Sequence, residues 1–352
     1  MTSTGPTPST PEVRRVSFRS RAIALPTLLS FAIAGVFIFF LLARFDINVG
    51  DAWRMAKGAD PGLLAAAFVL YYLTFPFRGY RWRLLLDNAG AFEEATGRPS
   101  LAQSSELILI SSFTNSVTWF RLGDAYRAFL VSDRWRVSFP RVIGTVVAER
   151  VLDLGVVFVL LLVAGIGLLR GDTASTAGAV LVGATALAGV AGLALLVMRL
   201  FGLRAVRFLP ARLQNAYARF QEGTLGSFRR LPVLIVISAA IWLLEAARLY
   251  FVIQALDLDV SLSLILFAAL AHSLLTTIPL TPGGVGFVEA GLTGLLALGL
   301  GRADAVGVTL LDRSITYLSI LATGGLTFAV RQTIGMQRRG AQGVTEQPPE
   351  RA

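Results

Sequence analysis

Acidic and arginine side chains stand next to each other at two places in otherwise apolar sequence. One is Glu149-Arg150, with Asp153 three residues on; the other is Asp312-Arg313. Charges inside membrane-length apolar segments are costly, and they are retained for function or to pair with one another. An arginine fork presents planar donors matched to carboxylate or phosphate. Each pair can therefore hold an anionic headgroup or close a salt-bridge lattice between helices. Adjacent helical residues point about 100° apart, so the acid and the arginine of a pair should not face one partner. Arg150 and Arg313 are the arginines expected to face a central cavity, with Glu149, Asp153 and Asp312 in support.

Two further stretches break the apolar pattern. Thr276 to Gly286 reads TTIPLTPGGVG, with Pro279, Pro282, Gly283, Gly284 and Gly286 interrupting a hydrophobic run. Residues 120–127 read FRLGDAYR. Non-helical backbone at membrane depth survives only where protein covers it or a polar cavity hydrates it. Arg121 and Arg127, beside Gly123 and Asp124, suit phosphate, and half-helix N-termini attract anions. The plainer reading is that they are ordinary charges at a membrane face. The backbone at Gly283, Gly284 and Gly286 would supply the matching donors in the second stretch. Glu289 is best read as a cap for the helix that follows, Glu245 and Arg248 as an intrahelical pair, and His272 as a satisfied buried histidine.

These residues need a membrane scaffold. Of 352 residues, 55% are hydrophobic and 15% charged, against about 25% charged in soluble domains. Mean hydropathy is +0.67. The net charge of +10 comes almost wholly from arginine, Lys57 being the only lysine. The arginines are spread over short loops between apolar runs, a positive-inside pattern rather than a nucleic-acid surface. Zero cysteines and one histidine exclude thiol chemistry, Cys-based metal sites and a multi-histidine metal site. No metal or cofactor is expected.

The chain predicts an all-α polytopic membrane protein. A Pro/Ser/Thr-rich disordered tail (1–20) precedes a single transmembrane domain (21–335) and a polar, disordered C-terminal tail (336–352). Spans are expected near 23–43, 61–86, 142–169, 174–198, 232–256 and 305–330 by the roughly 20-residue requirement. The run 101–117 with 122–131, and the run 262–278 with 285–300, read as two re-entrant hairpins entered from opposite faces. The polar first hairpin carries Ser111, Ser112 and Asn115. Both termini and the arginine-rich loop after residue 198 are placed in the cytoplasm, in a bacterial-type cytoplasmic membrane.

Gly123 placed on Gly286 also places Gly144 on Gly307, Glu149 on Asp312 and Arg150 on Arg313. The offset is the same each time. This reads as an internal repeat (about 21–170 and 174–332) of inverted topology, an arrangement that puts binding near the midplane and supports alternating access.

With these residues identified, the chain resembles the flippase-like transmembrane region of lysylphosphatidylglycerol synthases. The resemblance rests on PLTPGGVGFVEAG (279–291) with LLDRSITY (310–317), and on FRLGDAYR with AERVLDL (148–154). It brings Tyr317 into the candidate site. The family commonly has Pro-Gly-Arg-x-Gly-Glu in the first hairpin, where this chain has Trp119, Phe120, Arg121, Leu122, Gly123 and Asp124. The resemblance implies translocation of an anionic phospholipid or a polyprenyl-phosphate-linked lipid. Membrane lipids are then the partners, with a separately encoded lipid-modifying transferase as a further one. It does not carry over aminoacyl transfer, since only a polar tail is expected after Val330. The alternative is an integral-membrane enzyme or an accessory subunit of glycolipid or aminoacyl-lipid synthesis, the enzyme reading resting on Asp257-Leu258-Asp259 and on Asp46 and Asp51.

Overall fold

The computed structural model describes residues 57–345, except 94, 96, 167, 169–173 and 278–280, with side chains not described at Leu203, Thr277 and 333–345. The expected first span, Asp46, Asp51 and Pro279 lie outside the described residues. Among those described, all regular structure is helical.

Helix α1 (Pro61–Asn88) starts where Asp60 accepts hydrogen bonds from the N–H groups of Gly62 and Leu63. Proline at its first position needs no donor there. A reciprocal capping box between Ser100 and Gln103 opens α2 (Leu101–Val117), and α3 (Leu122–Trp135) follows after a tight turn. Next come α4 (Phe139–Ile166), α5 (Ala174–Ala205), α6 (Ala211–Gly226) and α7 (Leu231–Ala255). Helix α8 (Leu262–Thr277) leads to a 3-10 turn at Pro282–Gly284, then α9 (Phe287–Leu296), α10 (Arg302–Arg313), a π turn (Ser314–Leu318) and α11 (Ser319–Thr345). Two departures from expectation stand out. The basic segment after residue 198 contains α6, whose Tyr217, Phe220 and Thr224 face inward at helical spacing while its arginines face out. Helix α11 continues to Thr345, ten residues into the segment expected to be disordered.

Four helical stretches are long and apolar enough to cross a membrane: Pro61–Asn88, Ala174–Gly202, Leu231–Ala255 and Arg302–Gln332. In the second only 6% of the apolar window is buried. Val182, Val190 and Leu193 point outward, an apolar surface that lipid covers and water would not.

The packing is reciprocal. Helix α1 lies along α7; α8 packs on α4, and α2 packs on α11. Elements related by the sequence offset thus exchange partners: α8 packs on α4 where α2 packs on α11. The starts of α2 and α8, α3 and α9, and α4 and α10 lie 161, 165 and 163 residues apart. Backbone angles match too: Thr118 has φ −125° and ψ 159°, and Thr281 has φ −138° and ψ 155°. After each comes a pair in the left-handed region, Phe120 and Arg121 (φ 55° and 54°) in one turn, Gly283 and Gly284 (φ 62° and 71°) in the other. The first hairpin is therefore broken as sharply as the second without the Pro-Gly of the family pattern. Two consecutive L-residues hold a conformation that costs about 1–2 kcal/mol each.

Candidate functional site

Two ionic clusters flank the meeting point of the two turns. In the first, Arg81 of α1 is fully buried. Its Nη1 donates to Asp153 Oδ1 at 2.6 Å and Ser238 Oγ at 2.8 Å, and its Nη2 to Glu149 Oε1 at 3.0 Å. Arg127 of α3, also fully buried, donates to Glu149 Oε2 at 2.8 Å and stacks 4.6 Å from the centre of the Trp82 ring. Arg150 lies 3.2 Å from Glu149, 3.5 Å from Asp153 and 3.7 Å from Asp124. Arg121 donates to Asp124 at 3.2 Å and to the Thr276 carbonyl at 2.9 Å, so the first turn is tied to the last turn of α8. Glu149 and Arg150 thus both reach α3, contrary to the expectation from their 100° separation. The long arginine side chain folds back far enough to close that gap.

In the second cluster Glu245 joins Arg78 (2.9 Å) and Arg248 (3.2 Å), and Arg248 continues to Asp312. Glu289 caps the N–H of Gly286 and also pairs with Arg313 at 2.5 Å. Arg313 donates to the Gly283 carbonyl at 3.0 Å and lies over the Tyr317 ring at 4.7 Å. A Cβ on Gly283 would come within 2.4 Å of Tyr317 Cε2, so left-handed φ and close approach both require glycine there. The π turn immediately after Arg313 presents Tyr317 to that glycine and the Thr316 carbonyl to the Tyr71 hydroxyl (3.0 Å). π turns recur at functional sites. Gly123 is required for space instead: its N–H donates to Asn115 Oδ1 at 2.8 Å, and a Cβ would lie 2.1 Å from the Ser111 carbonyl.

Between the clusters lies a cavity of about 220 Å³. Five arginines line it (Arg78, Arg121, Arg150, Arg248 and Arg313) against two carboxylates, Asp153 and Glu245. Asn115, Ser116, Thr118, Thr276, Thr281, Gly283 and Gly284 add polar side-chain and backbone groups from both turns. Of the residues expected to bind, Arg121, Arg150, Arg313, Gly283 and Gly284 reach this cavity, and Arg127 and Gly286 do not. Arg127 is spent inside the protein on Glu149 and Trp82, and Gly286 on the Glu289 cap. Among the supporting residues, Asn115 and Asp153 line the cavity. Gly123, Asp124, Glu149, Pro282, Glu289, Asp312 and Tyr317 stand behind it.

Arg78 and Arg81 fall toward the end of the span expected at 61–86, and Arg248 is expected to have only an intrahelical partner. All three belong to the site. Their i, i+3 spacing on an apolar helix (Arg78 with Arg81, Glu245 with Arg248) was the available signal. His272 is buried as expected but not satisfied: it lines the cavity, and its Nε2 has no partner. Asp257 and Asp259 lie exposed in the loop after α7 and do not line the cavity. No group of three or more potential metal ligands occurs among the described residues.

An all-helical membrane protein with a cationic cavity between two broken helix pairs is the class these features define. The family described as the lysylphosphatidylglycerol synthase TM region matches residues 27–324, and the chain belongs to it. A UPF0104 membrane protein of Methanocaldococcus jannaschii is 31% identical over 224 residues, 62% of this chain and 94% of the relative. One from Methanothermobacter thermautotrophicus is 26% identical over 322 residues, covering 83% and 89%. The glycosyltransferase AglD of Haloferax volcanii is 28% identical over 334 residues; the match takes in 80% of this chain but spans only 51% of that relative.

Proposed function

We propose that the protein binds the phosphate of an anionic phospholipid, or of a polyprenyl-phosphate-linked lipid, in the central cavity and carries it across the membrane. The observation that carries this reading is the lining: five arginines against two carboxylates, drawn from both halves of the chain. Across the two clusters seven arginines (Arg78, Arg81, Arg121, Arg127, Arg150, Arg248 and Arg313) share six carboxylates (Asp124, Glu149, Asp153, Glu245, Glu289 and Asp312). An anion in the cavity therefore meets one positive charge in excess and gains charge-assisted hydrogen bonds. The reciprocal packing supports an inverted repeat in which the two turns are opposed gates, each closing one route to the cavity. Arg121 bonded to the Thr276 carbonyl, and Tyr317 against Gly283, would be the contacts that open alternately.

Binding tests this before transport does. In nanodiscs of zwitterionic lipid, added phosphatidylglycerol or phosphatidic acid should bind the parent protein. Arg150→Gln or Arg313→Gln should each weaken it by about 10–100-fold, the value of one charge-assisted contact. Equal affinity in parent and variants would remove the reading.

The AglD relative favours a second reading, a part in glycolipid synthesis. Its discriminating test is turnover. Purified protein given a lipid phosphate and nucleotide-sugar donors should then form product, and Asp257→Asn/Asp259→Asn should abolish it. The exposed position of both aspartates, away from the cavity, weighs toward transport.

A further inference from the structure

A second polar pocket lies away from the central cavity, where the loop after α1, the α3–α4 turn and α6 converge. Its volume is about 270 Å³, and Arg136, Arg141 and Arg219 line it together with Gly90, Val137 and Ser138. Among the described residues no carboxylate lines it, while the Glu93 carboxylate lies beside Gly90 at its margin. Arg141 is held by two contacts, Nη1 to the Gly90 carbonyl at 3.0 Å and Nη2 to Glu222 at 2.5 Å, and its Nε is buried without a partner. Arg136 and Arg219 are exposed. Gly90 and Arg136 both turn with positive φ, 64° and 56°.

The pocket also abuts the first turn of α4, since Val137 and Ser138 immediately precede that 28-residue helix. The helix dipole and the first-turn N–H groups of Phe139 and Arg141, Pro140 having none, favour negative charge there. Three arginines and a helix N-terminus therefore converge on one concave site that no acidic side chain lines among the described residues. In the second half the positions matching Arg136, Ser138 and Arg141 are Gly299, Gly301 and Asp304. The cluster is thus not a by-product of the repeat.

We propose that this pocket is a separate binding site for a phosphate-type anion, distinct from the central cavity and present in one half only. Two sources share that chemistry, the headgroup of an anionic phospholipid and free phosphate, and the test separates them. Binding of inorganic phosphate and of short-chain phosphatidic acid is measured by calorimetry on detergent-solubilised protein carrying Arg150→Gln/Arg313→Gln, which weakens the central cavity. Arg136→Gln/Arg219→Gln is then added; both side chains are exposed, and an unchanged unfolding temperature checks the fold. The account expects residual binding in the first protein and at least about a tenfold loss in the second. Binding of both probes marks a site that reads phosphate alone, and binding of the lipid probe alone marks a headgroup site; either supports the proposal. No residual binding of either probe, or binding unmoved by Arg136→Gln/Arg219→Gln, would overturn it. Neither result depends on whether the central cavity transports lipid.

Discussion

Replacing Arg81 by methionine isolates the energetic centre of the first cluster. Arg81 is fully buried and supplies two of the contacts to Asp153, at 2.6 and 3.2 Å, and one to Glu149 at 3.0 Å. Methionine keeps most of the volume and removes the charge. Glu149 retains Arg127 at 2.8 Å and Arg150 at 3.2 Å, but Asp153 is left with Arg150 at 3.5 Å and the Trp242 indole at 3.3 Å. Breaking a buried pair while one charge remains costs about 3–5 kcal/mol. The remaining partners should hold the loss toward the lower end of that range. Removing the second charge as well, Arg81→Met with Asp153→Leu, leaves no orphaned charge at Asp153, at the cost of the neutral contacts to Ser238 and Trp242. Two apolar residues can replace a buried pair with little loss. The double variant should therefore be destabilised by less than the sum of the singles, by about 1–3 kcal/mol of coupling. Denaturant unfolding in mixed micelles, followed by tryptophan fluorescence, measures all four proteins. Penalties that simply add, within about 0.5 kcal/mol, would refute the claim that Arg81 and Asp153 act as a pair.

The turns make further predictions. Phe120→Gly should stabilise the protein by about 1 kcal/mol through relief of a left-handed L-residue whose side chain is 75% exposed; unfolding in micelles checks it, and a loss of stability would show that the ring packs usefully. Gly283→Ala should cost at least about 1–3 kcal/mol, because it adds strain at φ 62° and meets Tyr317, and the loss should appear as a lower unfolding temperature. Removing the Glu289 carboxylate (Glu289→Gln) should leave Arg313 freer and tighten anion binding in the cavity while loosening the α9 cap. Binding and unfolding measured together separate the two effects.

Much of the scaffold was legible because apolar run length and helix breakers act locally. Helix α2 has the expected ends Leu101 and Val117, and α8 starts at the expected Leu262. The offset was visible in two pairs of glycines and one pair of acid–arginine doublets, and the same offset separates the matching backbone angles at Thr118 and Thr281. Helix α6 escaped notice because its arginines dominate a segment whose apolar face is narrow. In the site, Arg150 and Arg313 were legible from their adjacent acids. Arg81 was not, since charge near the end of an apolar run reads as a membrane-face marker and only the packing of α1 against α4 and α7 buries it. Arg127 misled for the opposite reason: its residue type suits phosphate, but Glu149 and the Trp82 ring already occupy it. Side-chain partners from distant segments decide such cases, and spacing along the chain does not report them.

The central claim is that both halves of the chain hold one anion during its passage. Purified protein in proteoliposomes with fluorescent phosphatidylglycerol, and dithionite quenching of the outer leaflet, tests it directly. The account predicts that the parent speeds equilibration between leaflets, and that Arg150→Gln and Arg313→Gln, one from each half, each slow it by at least about tenfold. Variants that move lipid as fast as the parent would contradict it.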